Sequence, residues 1–181
     1  MTAAAAPTIT TRRAIVADAT TLVSVINTAY RSDKNWTNES DLVKDERISL
    51  EELQAQIAAG VDPILVAELD GQVIGCIQVE FCRNHAHFNL PDDAALIGLL
   101  AVHSDFQSKG IGKTMFAAAI EFAKVQGPCT KAMMFVINKR LDIQAWYERL
   151  GFTWNGDKRD FVFPDKALQD DIWFKIYEKG I

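Results

Sequence analysis

A chain of 181 residues suits one domain built on one core. Its 24 acidic and 19 basic side chains leave a formal net charge of −5, which argues against a general nucleic-acid binder, since such proteins carry a basic face. A hydrophobic fraction of 49% is ordinary for a globular protein, and no run approaches the ~20 apolar residues of a membrane helix, so neither a nucleic acid nor a membrane is expected as partner.

Residues 1–7 are alanine-rich but lack a basic start and a long apolar core. They read as a disordered lead-in rather than a signal peptide, which places the domain at residues 8–181. Alternation over 8–14 predicts a short strand. Asp18 stands where it can cap a helix running to about residue 30, with Leu22, Val25, Ile26 and Ala29 at helical spacing. Residues 31–42 are polar and irregular and read as a loop. Ser49 followed by Glu52 is a capping box for a helix ending near Gly60. Residues 63–69 and 72–81 flank Asp70-Gly71, the strongest short hairpin signal in the chain. Pro91-Asp92-Asp93 turns the chain into a strand at 94–102. An amphipathic helix follows at 111–125 and stops at Gly127-Pro128. A buried strand is predicted at 131–137 and a helix at 140–150, closed by Gly151 in a left-handed conformation. Residues 152–154 and 172–177 are the last two predicted strands. There is no repeat and no second domain. Cys76, Cys82 and Cys129 show no metal or redox spacing and read as reduced thiols of a cytoplasmic protein.

The stretch between the strand at 94–102 and its helix carries the chemistry. It reads Gln107-Ser108-Lys109-Gly110-Ile111-Gly112-Lys113-Thr114. A helix starting there aims its unpaired N–H groups and the positive end of its dipole into the turn. Two glycines allow close backbone approach, and Lys109 and Lys113 add positive charge, so the stretch is a candidate phosphate cradle. Gly112-Lys113-Thr114 imitates the end of a nucleotide P-loop, but position 107 is Gln where that loop needs glycine. A dinucleotide fingerprint fails because Met115 occupies the third glycine position.

Gln-x-x-Gly-x-Gly resembles the pyrophosphate loop of the GNAT superfamily of acyl-CoA-dependent N-acetyltransferases. Gly98-Leu99-Leu100-Ala101-Val102 looks like that family's central strand. Trp146-Tyr147-Glu148-Arg149-Leu150-Gly151-Phe152 looks like its second signature, a helix that carries a tyrosine and closes on Gly-Phe. The resemblance runs from about residue 9 to the C-terminus. It implies a single α/β GNAT domain: a central, mostly antiparallel mixed sheet of about six to seven strands, flanked by helices, with a splayed central strand pair. It also implies acetyl-CoA as cosubstrate, held at its pyrophosphate by the loop from Gln107 to Thr114. The backbones of Leu100, Ala101 and Val102 would hold the pantetheine arm and the acetyl oxygen. Asn138 would be a polar contact to the cofactor, or equally a turn residue before the helix.

Acetyl transfer needs a neutral amine, a held thioester carbonyl and a proton for the departing thiolate. Tyr147 matches the family's tyrosine and can supply that proton, although its spacing with Ile143 and Leu150 also fits a core aromatic. Some members place a glutamate base on the central strand; here that strand has none, and Glu80 on the preceding strand is the nearest substitute. His85 and His87 lie two apart without a third ligand nearby, so no metal is expected. Arg140 and Ile143 replace the Asn and Ala that many members carry. Together with Ala29-Tyr30-Arg31, Trp36-Thr37-Asn38-Glu39 and Arg47, they resemble a little-characterised small-molecule branch. Trp36 and Glu39 are candidates to bind a cationic acceptor by aromatic face and carboxylate, or else they form a loop pinned by a buried Trp. The expected function is direct transfer of an acetyl group to the primary amine of a small molecule. The alternatives are a non-catalytic acyl-CoA-binding module and an enzyme acting on a peptide or protein amine. A homodimer is left open.

Overall fold

The computed structural model describes residues 9–32, 35 and 38–181. Four consecutive strands form an antiparallel meander: β1 (Ile9–Arg13), β2 (Ile64–Leu69), β3 (Gln72–Phe81) and β4 (Ala94–Val102). At the β2–β3 turn Asp70 and Gly71 both have positive φ, 51° and 79°, which matches the twist of the flanking strands. Beyond β4 the chain crosses to β5 (Lys131–Ile137), which runs parallel to β4. β6 (Thr153–Asp160) and β7 (Trp173–Gly180) complete a seven-stranded sheet in the order β1-β2-β3-β4-β5-β7-β6. All other pairings are antiparallel. Sheet and strand count agree with the mixed, mostly antiparallel fold expected from sequence.

Helices α1 (Ala19–Arg31) and α2 (Leu50–Ala59) cover one face of the sheet. Leu22, Val25, Ile26 and Ala29 of α1 and Leu53 of α2 pack there on Val66, Cys76, Leu99 and Ala101. Helices α3 (Ile111–Gln126) and α4 (Leu141–Arg149) cover the other face, where Ile111, Met115, Phe116 and Ala119 meet Ile77, Ile97 and Leu100. Each large apolar side chain removed from water in these layers contributes roughly 1.5–3 kcal/mol. Among the described residues no helix is long and apolar enough to cross a membrane.

The helix ends follow the sequence with one exception. At α2, Glu52 N–H donates to Ser49 Oγ (3.2 Å) and Ser49 N–H to Glu52 Oε2 (2.9 Å), and Gly60 ends the helix at φ 62°. Gly151 follows α4 at φ 87°. Asp18, expected to cap α1, does not: its carboxylate accepts from Arg12 at 2.7 and 3.0 Å and from Ile15 N–H at 2.8 Å. A bidentate guanidinium competes better for a carboxylate than a neutral helix amide does. β6 is also longer than expected. The strand expected at residues 152–154 continues through a bulge, three residues of β6 standing against one of β7 between Trp154↔Tyr177 and Lys158↔Lys175.

Two irregularities in β4 shape the centre of the sheet. Its ladder to β5 consists of Ala94↔Lys131, Ala95↔Ala132 and Leu96↔Met133, after which the two strands part. On the other side, Gln78 and Cys76 of β3 face Gly98 and Ala101, so β4 carries one extra residue, and Leu99 sits there at φ 48°. A leucine in that region is rare and strained, and such strain collects at functional sites. The bulge leaves little space across the strand pair: a Cβ on Gly75 would lie 2.7 Å from the Ala101 carbonyl oxygen and 3.1 Å from Met115 Sδ. Gly75→Ala is therefore expected to destabilise the fold by about 1–3 kcal/mol, read by denaturant unfolding. A variant as stable as the parent would show that the bulge yields freely.

Candidate active site

The loop after β4 is tied down by its own side chains. Gln107 Nε2 donates to the Val102 carbonyl (2.9 Å) and to Asn35 Oδ1 (3.0 Å), joining the loop to the strand end and to the segment after α1. Ser108 and Gly110 both adopt left-handed φ, 60° and 80°, and α3 begins at Ile111 without a side-chain cap. The first helical bond is Thr114 N–H to the Gly110 carbonyl (3.1 Å), so the amides of Ile111, Gly112 and Lys113 precede it and remain available to an anion. Lys109 folds back, donating to the Asp105 carbonyl at 2.9 Å, whereas Lys113 faces a cleft of about 310 Å³.

That cleft collects most of the cradle expected from sequence: Leu100, Val102, Gln107, Ser108, Gly110, Ile111, Gly112 and Lys113 line it. Ala101 instead packs on the α1 face, and Lys109 and Thr114 are not among the lining residues. Asn138 is not there either. Its side-chain amide donates to the Asp171 carbonyl (3.0 Å) and accepts from Trp173 N–H (3.2 Å), tying the end of β5 to the start of β7. Sequence reasoning missed Asp142, Trp146 and Arg149, which recur at i, i+4 and i+7 and form the α4 wall of the cleft. Their spacing was the available signal.

Tyr147, beside Trp146 on α4, is half-buried in an aromatic cluster, with ring centroids 5.6 Å from Phe116 and 5.1 Å from Trp146. Burial, reinforced by Tyr30 and Glu39, drives its phenol well above the ordinary range, so it stays protonated at neutral pH.

Glu80 reaches across the sheet. Its partner in register is Leu96, and its Oε1 lies 4.0 Å from where a Cβ on Gly98 would stand, one residue before the bulge. The carboxylate from β3 thus covers the spot that a side chain on β4 would occupy. Burial first, then the charge of Asp62, pushes its pKa up to about 7, against smaller opposing effects of His85 and Arg47. His85 Nε2 pairs with Asp62 Oδ1 at 2.7 Å, and ligand-type atoms of Asp62, Glu80 and His85 all lie within 4.8 Å of one another. His85 thus has two carboxylate neighbours in Asp62 and Glu80, which its spacing to His87 did not reveal. With Ile64 opposite Gln78, the antiparallel register brings Asp62 beside Glu80.

The segment after α1 is tied to the head of α4. Glu39 lies 3.6 Å from Arg31 and 3.9 Å from Arg140, which stands at the head of α4. Trp36 lies outside the described residues.

A family model described as the acetyltransferase (GNAT) domain matches residues 61–154, more than half of the chain. The protein belongs to the GNAT acetyltransferase family. Among solved structures, yncA of Salmonella typhimurium, described as an acetyltransferase and solved with its cofactor acetyl-CoA, is 18% identical at a TM-score of 0.70, covering 96% of this chain and 94% of that one. The PaiA N-acetyltransferase of Thermoplasma acidophilum in complex with coenzyme A is 20% identical at a TM-score of 0.66, covering 96% and 99%. An N-acetyltransferase from Staphylococcus aureus gives 15% identity and a TM-score of 0.69, covering 96% and 98%. At these identities the likeness concerns the fold. No curated protein sequence matches significantly. The parted strands, the bulge and the loop at the head of α3 all lie within the matched GNAT domain.

Proposed function

We propose that this GNAT domain moves the acetyl group of acetyl-CoA to the primary amine of a small molecule by direct transfer. The observation that carries the reading is the unpaired edge of β4, which runs straight into the anion cradle at the head of α3. Together they offer backbone groups for a pantetheine arm and helix amides for a pyrophosphate. The neighbours solved with acetyl-CoA and coenzyme A support the choice of donor.

Glu80 takes the proton of the acceptor ammonium, directly or through water, and its pKa of about 7 suits that task at neutral pH. The amine nitrogen attacks the thioester carbonyl carbon, a C–N bond forms, and backbone amides at the β4 bulge receive the charge on oxygen. The C–S bond breaks with its electron pair on sulfur, Tyr147 O–H protonates the thiolate, the second proton of the attacking nitrogen leaves to water, and the phenolate is reprotonated from solvent. Glu39, with Trp36 of the same segment, belongs to the acceptor pocket. A covalent route through cysteine is disfavoured: Cys76, Cys82 and Cys129 are buried, and burial holds the first two thiols at about 12 and about 11. These free thiols also fit a cytoplasmic setting.

Release of coenzyme A from acetyl-CoA over a panel of amines tests the assignment. Tyr147→Phe keeps the ring and deletes the hydroxyl. It is expected to lower turnover by at least ~10-fold and to change acetyl-CoA affinity little, as for a group acting in the transition state. Turnover close to the parent's would reduce Tyr147 to a packing residue.

A further inference from the structure

The surroundings of Glu39 differ from what a pocket for a cationic amine requires. Arg31 lies 3.6 Å from Glu39 Oε2 and also donates to the carbonyls of Tyr30 (3.1 Å) and Asp45. Arg140 lies 3.9 Å from Glu39 Oε1 and grips both oxygens of Asp142 at 3.0 and 2.9 Å. Both carboxylates are thus matched by these two guanidiniums. Arg47 is a third. Its backbone N–H is held by Asn27 Oδ1 (2.7 Å), and its exposed guanidinium lies over the Tyr30 ring, 5.4 Å from the centroid. Among the described residues no carboxylate comes within ion-pair distance of it. Of the three guanidiniums around Glu39, Arg47 is thus the one left without a carboxylate partner among the described residues, although Asp45 and Glu46 precede it in the chain.

Arg47 is placed to matter for the acceptor. The Tyr30 it lies on accepts at its carbonyl from the Glu39 N–H at 2.8 Å, so the guanidinium stands beside the Glu39 segment, and its charge favours the ionised forms of Glu39 and Glu80. Burial also pushes the Glu39 carboxyl upward despite the three arginines, which weakens its use as a counter-ion for an incoming ammonium. A guanidinium lying on an aromatic ring keeps its in-plane N–H fork free, and that fork matches the two oxygens of a carboxylate. One unmatched positive charge suits a monoanion better than a doubly charged phosphate.

We propose that the acceptor is an amine that also bears a carboxylate, an amino-acid-like molecule, and that the Arg47 fork receives the carboxylate while the amine points to Glu80. This rests on the acetyl-transfer reading above. It reverses the expectation of a cationic acceptor held by Glu39.

The test is coenzyme A release from acetyl-CoA with matched pairs: amino acids and their primary amides, with rates expressed per neutral amine. In the parent protein the carboxylate member is expected to have the higher kcat/KM by roughly 10- to 100-fold, the range of lost charge-assisted hydrogen bonds. Arg47→Gln should collapse that ratio toward one. Arg47→Lys, which keeps the charge but not the fork, should restore part of it. Acetyl-CoA affinity by calorimetry reports whether each variant is folded. A parent that prefers the amides, or a ratio that survives Arg47→Gln in a folded protein, overturns the proposal and leaves acetyl transfer standing. If no amine of either kind releases coenzyme A although acetyl-CoA binds, the acetyl-transfer reading fails and the acceptor assignment goes with it.

Discussion

Glu80→Gln should lower kcat/KM for the amine at neutral pH by roughly 10²- to 10⁴-fold, the range for a lost general base, and leave acetyl-CoA affinity nearly unchanged. The substitution keeps shape and removes the proton acceptor. The same carboxyl sets the sign of the pH dependence. A base works only when deprotonated, and burial with Asp62 nearby raises Glu80 to about 7. The parent's kcat/KM should therefore fall as pH drops through neutrality. Asp62→Asn removes a negative charge that favours the protonated form, so it should move this limb to lower pH. The limb should stay in place when amines of different basicity are compared, because it belongs to the protein. A limb that tracks the basicity of the amine, or that survives Glu80→Gln, would assign the titration to the substrate and leave Glu80 without a role.

Gly112→Val is expected to weaken acetyl-CoA binding by roughly 10- to 100-fold, the loss of charge-assisted bonds from the helix start. A Cβ at this position would stand 3.6 Å from Trp146 Cζ2 and 3.9 Å from Leu100 Cδ2, both cleft-lining residues. One added carbon makes ordinary contacts there. The branched methyls of valine must either displace the indole or project over the first turn of α3. Gly112→Ala should accordingly bind acetyl-CoA almost as the parent does. Calorimetry on folded proteins separates the two, and unchanged affinity in Gly112→Val would falsify the cradle assignment.

The two glycines were read from sequence as one motif with one purpose. The structure gives them different duties. Gly110 has open space around its missing side chain and needs its φ of 80°, while Gly112 lies in the helix and makes room beside Trp146. Local signals predicted the elements well, because capping boxes, hairpin turns and periodic apolar faces act over a few residues. They failed at Asp18, where Arg12 on the neighbouring strand captures the carboxylate, and at β6, where pairing with β7 continues the strand through a bulge. In the site, the loop and Tyr147 were legible because they lie in contiguous motifs. The Asp62–Glu80–His85 group was not, since only the register of β2 and β3 brings Asp62 to Glu80. The pairing of Glu39 with Arg140 was hidden in the same way, by about a hundred residues of intervening chain.

The parting of β4 from β5 also bears on how the molecule holds together. Strands β1 to β4 follow one another in sequence and in space, while β5, β7 and β6 form a second block in that spatial order. In the sheet itself the ladder between these blocks holds three residue pairs, supplemented outside it by the Val43–Ala167 bridge and by Thr130 N–H donating to the Asp93 carbonyl at 2.8 Å. Such contiguous units can open separately in the native state, each with its own free energy. A molecule bound along the unpaired edge of β4 and braced against α4 would act as an interstrand clasp. Its binding energy would then appear as added resistance to local opening, in proportion to ligand concentration. Amide exchange in Ile97 to Val102 is then expected to slow most.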